Sequence, residues 1–355
     1  MALFDKTETR VARLDQSGPY SSLILRLHSE LDRDPLPEEL KNYPEELFGM
    51  IDLVYQYKGQ ARPKYSGISK SVLKEVEENK RSTLVAFSGG KDSVASAIHC
   101  KKRFGKDPFL YHVKGINPSY TNKEHEAAIR LARLLQFDMR VVDFHPFTGS
   151  VYAEHPIKDQ VILSSMMDYG VPLGVLNYTM GVEIENTVKK SNLKYNFSDS
   201  AEMFSAFWSW ARSRVSGFNW FWTIKNHSKS LKTICEYEDE VGVELLSDTI
   251  SCLTPVRFQN MRRNQTMAKY GVDLIKNRCG VCWKCCVEYL NLVCLGREQP
   301  PNDQTIKHCF DRFKVSLPTA YGNGYLEKAT DLEILNVAVD PKEIDNTPIR
   351  QHLGI

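Results

Sequence analysis

Leu84-Val85-Ala86-Phe87-Ser88-Gly89-Gly90-Lys91-Asp92-Ser93 decides how this chain is read. An apolar run leads into Ser-Gly-Gly-Lys-Asp-Ser, and a helical pattern follows at once. A loop of that kind keeps its backbone amides free to hold a chain of phosphate oxygens. Gly89 and Gly90 put no Cβ in the way of an approaching anion. The helix expected from Ser93 adds unpaired N–H groups and a favourable dipole. Ser88 and Ser93 can donate hydroxyls, Lys91 can add positive charge, and Asp92 can hold Mg²⁺ through water. The glycines are adjacent and no spacer separates them, so this is not the Gly-x-x-x-x-Gly-Lys-Ser/Thr loop.

On both sides of the loop, strand and helix patterns alternate. Residues 83–87 read as the first strand and residues 93–104 as the first helix, with Gly105 just past its end. Residues 109–113 form a second strand. Thr121-Asn122-Lys123-Glu124 is a capping-box pattern that opens a helix with Ala128, Leu131, Ala132 and Leu135 on one face. Residues 139–144 supply a third strand. Such alternation predicts an α/β fold with a doubly wound parallel sheet and right-handed crossovers, and places residues 88–93 at the ligand-binding carboxyl edge. Further on, residues 157–169 read as a helix stopped by Gly170 and Pro172, and 174–181 as a strand. Residues 198–212 read as a helix capped by Ser198, with Phe204, Phe207, Trp208 and Ala211 inward. The aromatic group Phe218, Trp220, Phe221 and Trp222 is either core or a platform for a flat base.

Three segments follow: a helical extension over 1–80, a nucleotide-binding core over 81–299, and a C-terminal extension over 300–355. In the first, Pro37 and Pro44 with their following acids are typical helix starts, and 69–80 reads as a further helix. The chain has 355 residues, is 42% hydrophobic and 25% charged, and carries a formal charge of +2. Those are values of an ordinary globular protein, and the charge argues neither for nor against a nucleic-acid partner. No apolar run reaches membrane-spanning length and the N-terminus lacks a signal-peptide core, so the chain reads as cytoplasmic.

Nine cysteines in such a chain point to metal ligation or buried thiols before disulfides. Cys279-Gly280-Val281-Cys282-Trp283-Lys284-Cys285 places three thiols at a spacing that lets their sulfurs reach one tetrahedral ion. Cys252 is the candidate fourth ligand, giving a four-cysteine zinc segment over 252–286. An iron–sulfur centre and redox or sulfur-carrier chemistry are the other readings. Cys100, Cys235, Cys294 and Cys309 read as buried thiols.

Taken in order, these pieces resemble the 7-cyano-7-deazaguanine synthase branch of the ATP pyrophosphatases. The resemblance spans about 83–288. It rests on the Ser88–Ser93 loop, the helix from Asn122 to Leu135, Asn196-Phe197-Ser198-Asp199-Ser200, Thr249-Ile250-Ser251-Cys252 and the closing Cys279, Cys282 and Cys285. It implies an adenine nucleotide alpha hydrolase-like fold and an enzyme that forms C–N bonds while cutting ATP to AMP and pyrophosphate. A substrate carboxylate would be adenylated and ammonia would displace AMP. A second activation would turn the amide into a nitrile. The implied cofactors are ATP, Mg²⁺ and Zn²⁺. Lys91 and Asp92 would be catalytic; Ser88, Gly89, Gly90, Asp92 and Ser93 would bind nucleotide; Cys252, Cys279, Cys282 and Cys285 would bind metal. The partners would be a deazapurine acid with ammonia or another amine, and a second copy of the chain in a homodimer.

The chain departs from that pattern in three ways, one being that its extensions before Ser82 and after Pro300 have no counterpart in the small synthases. The stretch between Cys252 and Cys279 is long and basic, with Arg257, Arg262, Arg263, Lys269, Lys276 and Arg278. These charges are a solvated face or, over 257–278, a site for a nucleic-acid or protein acceptor. Where the family commonly has Leu-Arg after its last zinc cysteine, this chain has Val287-Glu288. An RNA-modifying pyrophosphatase of the thiolation or lysidine type and a non-catalytic ATP- or zinc-binding scaffold are the alternative readings.

Overall fold

The computed structural model describes residues 12–13, 18–61, 83–116, 121–144, 155–182, 200–224, 227–250, 256–270, 278–280, 282–298, 304–305 and 307–309. The helix expected over 69–80, Cys252, residues 196–199, Lys276 and most of the tail lie outside them.

The strands are β1 (Ala12–Arg13), β2 (Thr83–Ala86), β3 (Phe109–Lys114), β4 (Met139–Asp143), β5 (Asn177–Met180) and β6 (Asn219–Trp220). They lie in the order β1-β4-β3-β2-β5-β6, and all five pairings are parallel. From β2 the chain steps outward to β3 and β4, then returns to the other side of β2 for β5 and β6. The order therefore reverses at β2, and Leu84 is in register with Phe109 on one side and Tyr178 on the other. In parallel sheets a crevice opens beyond the strand ends at such a reversal.

The helices are α1 (Ser21–Leu31), α2 (Phe48–Lys58), α3 (Lys91–Phe104), α4 (Thr121–Leu135), α5 (Lys158–Gly170), α6 (Ala201–Arg214), α7 (His227–Val241), α8 (Val256–Tyr270) and α9 (Trp283–Cys294). Successive strand residues point to opposite faces, and β2 is buried on both. Leu84 and Ala86 enter one apolar cluster with α1, α2, α5 and α6. Val85 and Phe87 enter another with α3, α4 and α7. The helices of the N-terminal extension are thus built into the cover of one sheet face.

Local chemistry explains most element ends. Gly105 closes α3 at φ 62°, and its N–H bonds Lys101 O. As the sequence reading expects, α5 ends at Gly170; a separate 3₁₀ turn, Val171–Leu173, follows and closes at Gly174 with φ 74°. Gly170 is also a packing residue, because a Cβ there would stand 2.5 Å from Tyr178 Oη. Ser200, not Ser198, caps the next helix: its Oγ accepts from Met203 N at 3.3 Å. Trp210 is buried in place of Trp208, since Tyr20 from the N-terminal segment packs edge-on against it with centroids 6.5 Å apart. The proline-led starts at Pro37 and Pro44 make short 3₁₀ turns. The aromatic group belongs to the core: Phe218 stacks on Tyr178, and Trp220 on Phe204. Among the described residues, no helix is long and apolar enough to cross a membrane.

Candidate functional site

The loop after β2 is held by its neighbours' backbone. Gly89 has φ 77°, and a Cβ there would stand 2.8 Å from Ala128 N of α4. Gly181, just past β5, lies so close to the start of α3 that a Cβ would stand 2.3 Å from Ser93 N. Ile250 N–H donates to Gly89 O at 3.0 Å. Within the loop, Ser88 Oγ accepts from Gly90 N at 3.2 Å and Ser93 Oγ donates to Gly90 O at 2.9 Å. Gly90 is the N-cap residue of α3 and gives it no side-chain cap. Only glycine at 89 and 181 permits this closeness.

Lys91 and Asp92 are drawn together. Lys91 Nζ meets Asp92 Oδ1 at 2.5 Å, and Ser230 Oγ of α7 donates to the same oxygen at 2.6 Å. Lys91 is buried and Asp92 partly exposed. The lysine charge is therefore already balanced within the protein.

A cleft of about 330 Å³ opens at the carboxyl ends of β2, β3 and β5. That volume lies within the range of small-molecule sites. Its apolar wall includes Phe87, Tyr111, Ile116, Ile162 and Met180, and Ser88, Ser93 and Gly181 bring the loop to it. Lys91 and Asp92 are not among the described lining residues.

Four charged residues that sequence reasoning does not assign to a site complete the cleft: Glu124, Lys158, Asp159 and Lys284. Burial raises the Glu124 carboxyl to about 7, with Lys158 and Lys284 pulling the other way. The sequence pattern gives Glu124 to a helix cap; its position one turn before Ala128, which touches Gly89, is the available signal. His112 also lines the cleft. Its Nδ1–H donates to Phe87 O at 2.8 Å, and burial lowers the ring to about 4, so it stands neutral. A second hollow, near Glu238 and Asp239, has its carboxylates already engaged. Glu238 Oε1 accepts from Leu245 N and Leu246 N, and Asp239 pairs with Arg297.

Cys279, Cys282 and Cys285 come together with all three sulfurs within 4.8 Å of one another. Cys279 and Cys285 sulfurs are 3.9 Å apart, and those of Cys282 and Cys285 are 3.3 Å apart. Zinc–sulfur bonds of about 2.3 Å in a tetrahedron put sulfurs roughly 3.8 Å apart. The trio could therefore hold a metal such as zinc. Cys282 N–H points at Cys279 Sγ from 3.3 Å, a turn that brings an amide toward the thiolate. The fourth ligand expected at Cys252 falls outside the described residues. Cys286 belongs elsewhere: its thiol contacts Cys309 and the Gly280 carbonyl, while burial also pushes it up.

The long basic stretch divides. Arg262 and Lys269 lie on the outward surface of α8. Arg278 does not join a solvated face; it is buried, with its guanidinium 2.7 Å from Glu288 Oε1 and 2.6 Å from Thr249 Oγ1. A buried arginine needs such a counter-charge, so Glu288, a departure from the family pattern in the sequence, is its partner in the fold.

No protein-family profile matches this chain, and no curated protein matches it.

Proposed function

We propose that the chain is an ATP pyrophosphatase that adenylates a carboxylate or amide and lets an amine displace AMP. The nearest reading is 7-cyano-7-deazaguanine synthase or a relative acting on a deazapurine acid. On this reading the sheet is the doubly wound, adenine nucleotide alpha hydrolase-like one. One observation carries the proposal: Ser88 and Ser93 line a cleft at the strand-order reversal, on a loop closed by glycine–backbone contacts.

The chemistry suits the residues. A carboxylate oxygen leaves poorly until it carries a phosphoryl ester. Loop amides and the two serines would receive the charge that builds on departing pyrophosphate. Lys91 and Asp92 would act as a pair, and Asp92 would be the carboxylate that holds Mg²⁺, which would help neutralise the phosphate charge. Glu124, raised toward neutrality on the cleft wall, would take a proton from an incoming ammonium. Arg262 and Arg263 on α8 are candidates for contact with a larger acceptor.

The test is incubation with ATP, ammonium and 7-carboxy-7-deazaguanine, with mass spectrometry for adenylate, amide or nitrile. Turnover with a different acid alone would keep the superfamily and discard the synthase. No AMP from any acid would discard both. Asp92→Asn should cut AMP release at least about a hundredfold; undiminished release would remove Asp92 from the mechanism.

A further inference from the structure

We propose that metal at Cys279, Cys282 and Cys285 positions Lys284 in the cleft, so that the cleft's hold on an anionic ligand depends on the metal. This rests on the ATP-binding reading above. Lys284 stands between two of the three thiols, with Cys282 two residues before it and Cys285 next after it. It also lines the cleft, together with Lys158 and Glu124. One short turn therefore belongs to both the metal group and the ligand cavity.

The placement runs against local preference. Lys284 lies in the first turn of α9, where the helix dipole opposes a cation, and no acidic residue shares that turn. A flexible lysine stem loses rotamer freedom when its ammonium is fixed. Thiolates bound on either side of it would fix the main chain and lower that loss. The rest of α9 has its own anchors in the Arg278–Glu288 pair and in Asn291 Oδ1, which accepts from Ser228 Oγ of α7. Removing the metal should therefore loosen the turn and leave the helix in place.

The experiment compares the full chain, with zinc quantified, to Lys284→Gln. ATP with Mg²⁺ is the probe, titrated calorimetrically before and after zinc is stripped with a chelator; circular dichroism and thermal melting are recorded on each sample. Lys284→Gln should keep its zinc and its melting temperature and bind ATP about tenfold more weakly, as expected for one charge-assisted contact. Stripping zinc should weaken the unsubstituted chain by a similar factor and Lys284→Gln by less than about twofold more. Equal ATP affinity of Lys284→Gln and the unsubstituted chain would overturn the proposal. So would a loss of about tenfold on stripping Lys284→Gln, because the metal would then act through another group. Loss of the helical signal on stripping would also overturn it, since the metal would hold the whole fold. If the zinc-loaded, unsubstituted chain binds no ATP, the nucleotide reading itself fails.

Discussion

The loop over 88–93 and the cysteine turn over 279–285 both lead into helices, yet opposite forces hold them. The loop is closed by main chain: Gly89 lies against Ala128 N, Gly181 against Ser93 N, and Ile250 N–H reaches Gly89 O. It needs no ligand to take its shape. The cysteine turn gathers three sulfurs with one N–H aimed at them. Three thiolates that close repel one another unless a cation neutralises them. The loop is thus shaped by the fold, whereas the turn gathers three thiols that could hold a metal such as zinc. What the turn retains without metal must come from its flanks.

The flank can be broken first, with the largest effect. Arg278 and Glu288 are 3% and 0% exposed at the side chain, so Glu288→Ala would leave a buried guanidinium without its counter-charge. A loss of about 4 kcal/mol is expected in urea unfolding. The double change Arg278→Met with Glu288→Leu should restore most of it, because an apolar pair of similar size costs no desolvation. A loss under about 1 kcal/mol for Glu288→Ala would mean the pair does not hold the turn. The matching blow to the loop is Gly181→Ala. Its Cβ would strike backbone atoms of Asp92 and Ser93, which no side-chain rotation can relieve. About 3 kcal/mol of destabilisation is expected, together with loss of the nucleotide binding proposed above. Retained binding at unchanged stability would show that the loop yields more easily than its packing implies.

The same contrast explains what could be read from sequence. β2 is a run buried on both faces, and the strand–helix alternation around it needs no distant information. Gly105 ends α3 through a local bond, so its role was legible too. The trio Cys279, Cys282 and Cys285 was legible because its spacing is itself the geometry. What failed depended on partners far along the chain. Trp210 is buried because Tyr20 covers it, and periodicity alone accepts Trp208 equally well. Arg278 reads as solvated in sequence because the carboxylate that neutralises it lies in another element. Glu124 and Lys284 meet only once α4 and α9 converge over the cleft. The capping serine moved from 198 to 200 because both fit the pattern, and only helix phase chooses between them.

The smallest effect concerns a support both turns share, an imidazole donating to a nearby carbonyl. His308 Nε2–H reaches Gly280 O at 3.4 Å beside the cysteines, and His112 Nδ1–H reaches Phe87 O at 2.8 Å beside the loop. For His112, burial lowers the folded-state value to about 4, below the ordinary 6.5. The folded state therefore disfavours the proton. The stability this ring contributes is complete above about pH 6.5 and is lost as pH falls through 6.5 toward 4. Between about pH 7 and 5.5 the loss from one such ring is about 1 kcal/mol. His28 and His155, stacked with centroids 3.4 Å apart, are lowered by burial in the same direction and add to the total. His112→Gln keeps an N–H for Phe87 O and cannot titrate. Its unfolding free energy should therefore fall by about 1 kcal/mol less than that of the unsubstituted chain over the same interval. Parallel pH curves for the two proteins would show that His112 does not hold the loop through its neutral form, leaving the backbone contacts of Gly89 and Gly181 to do so.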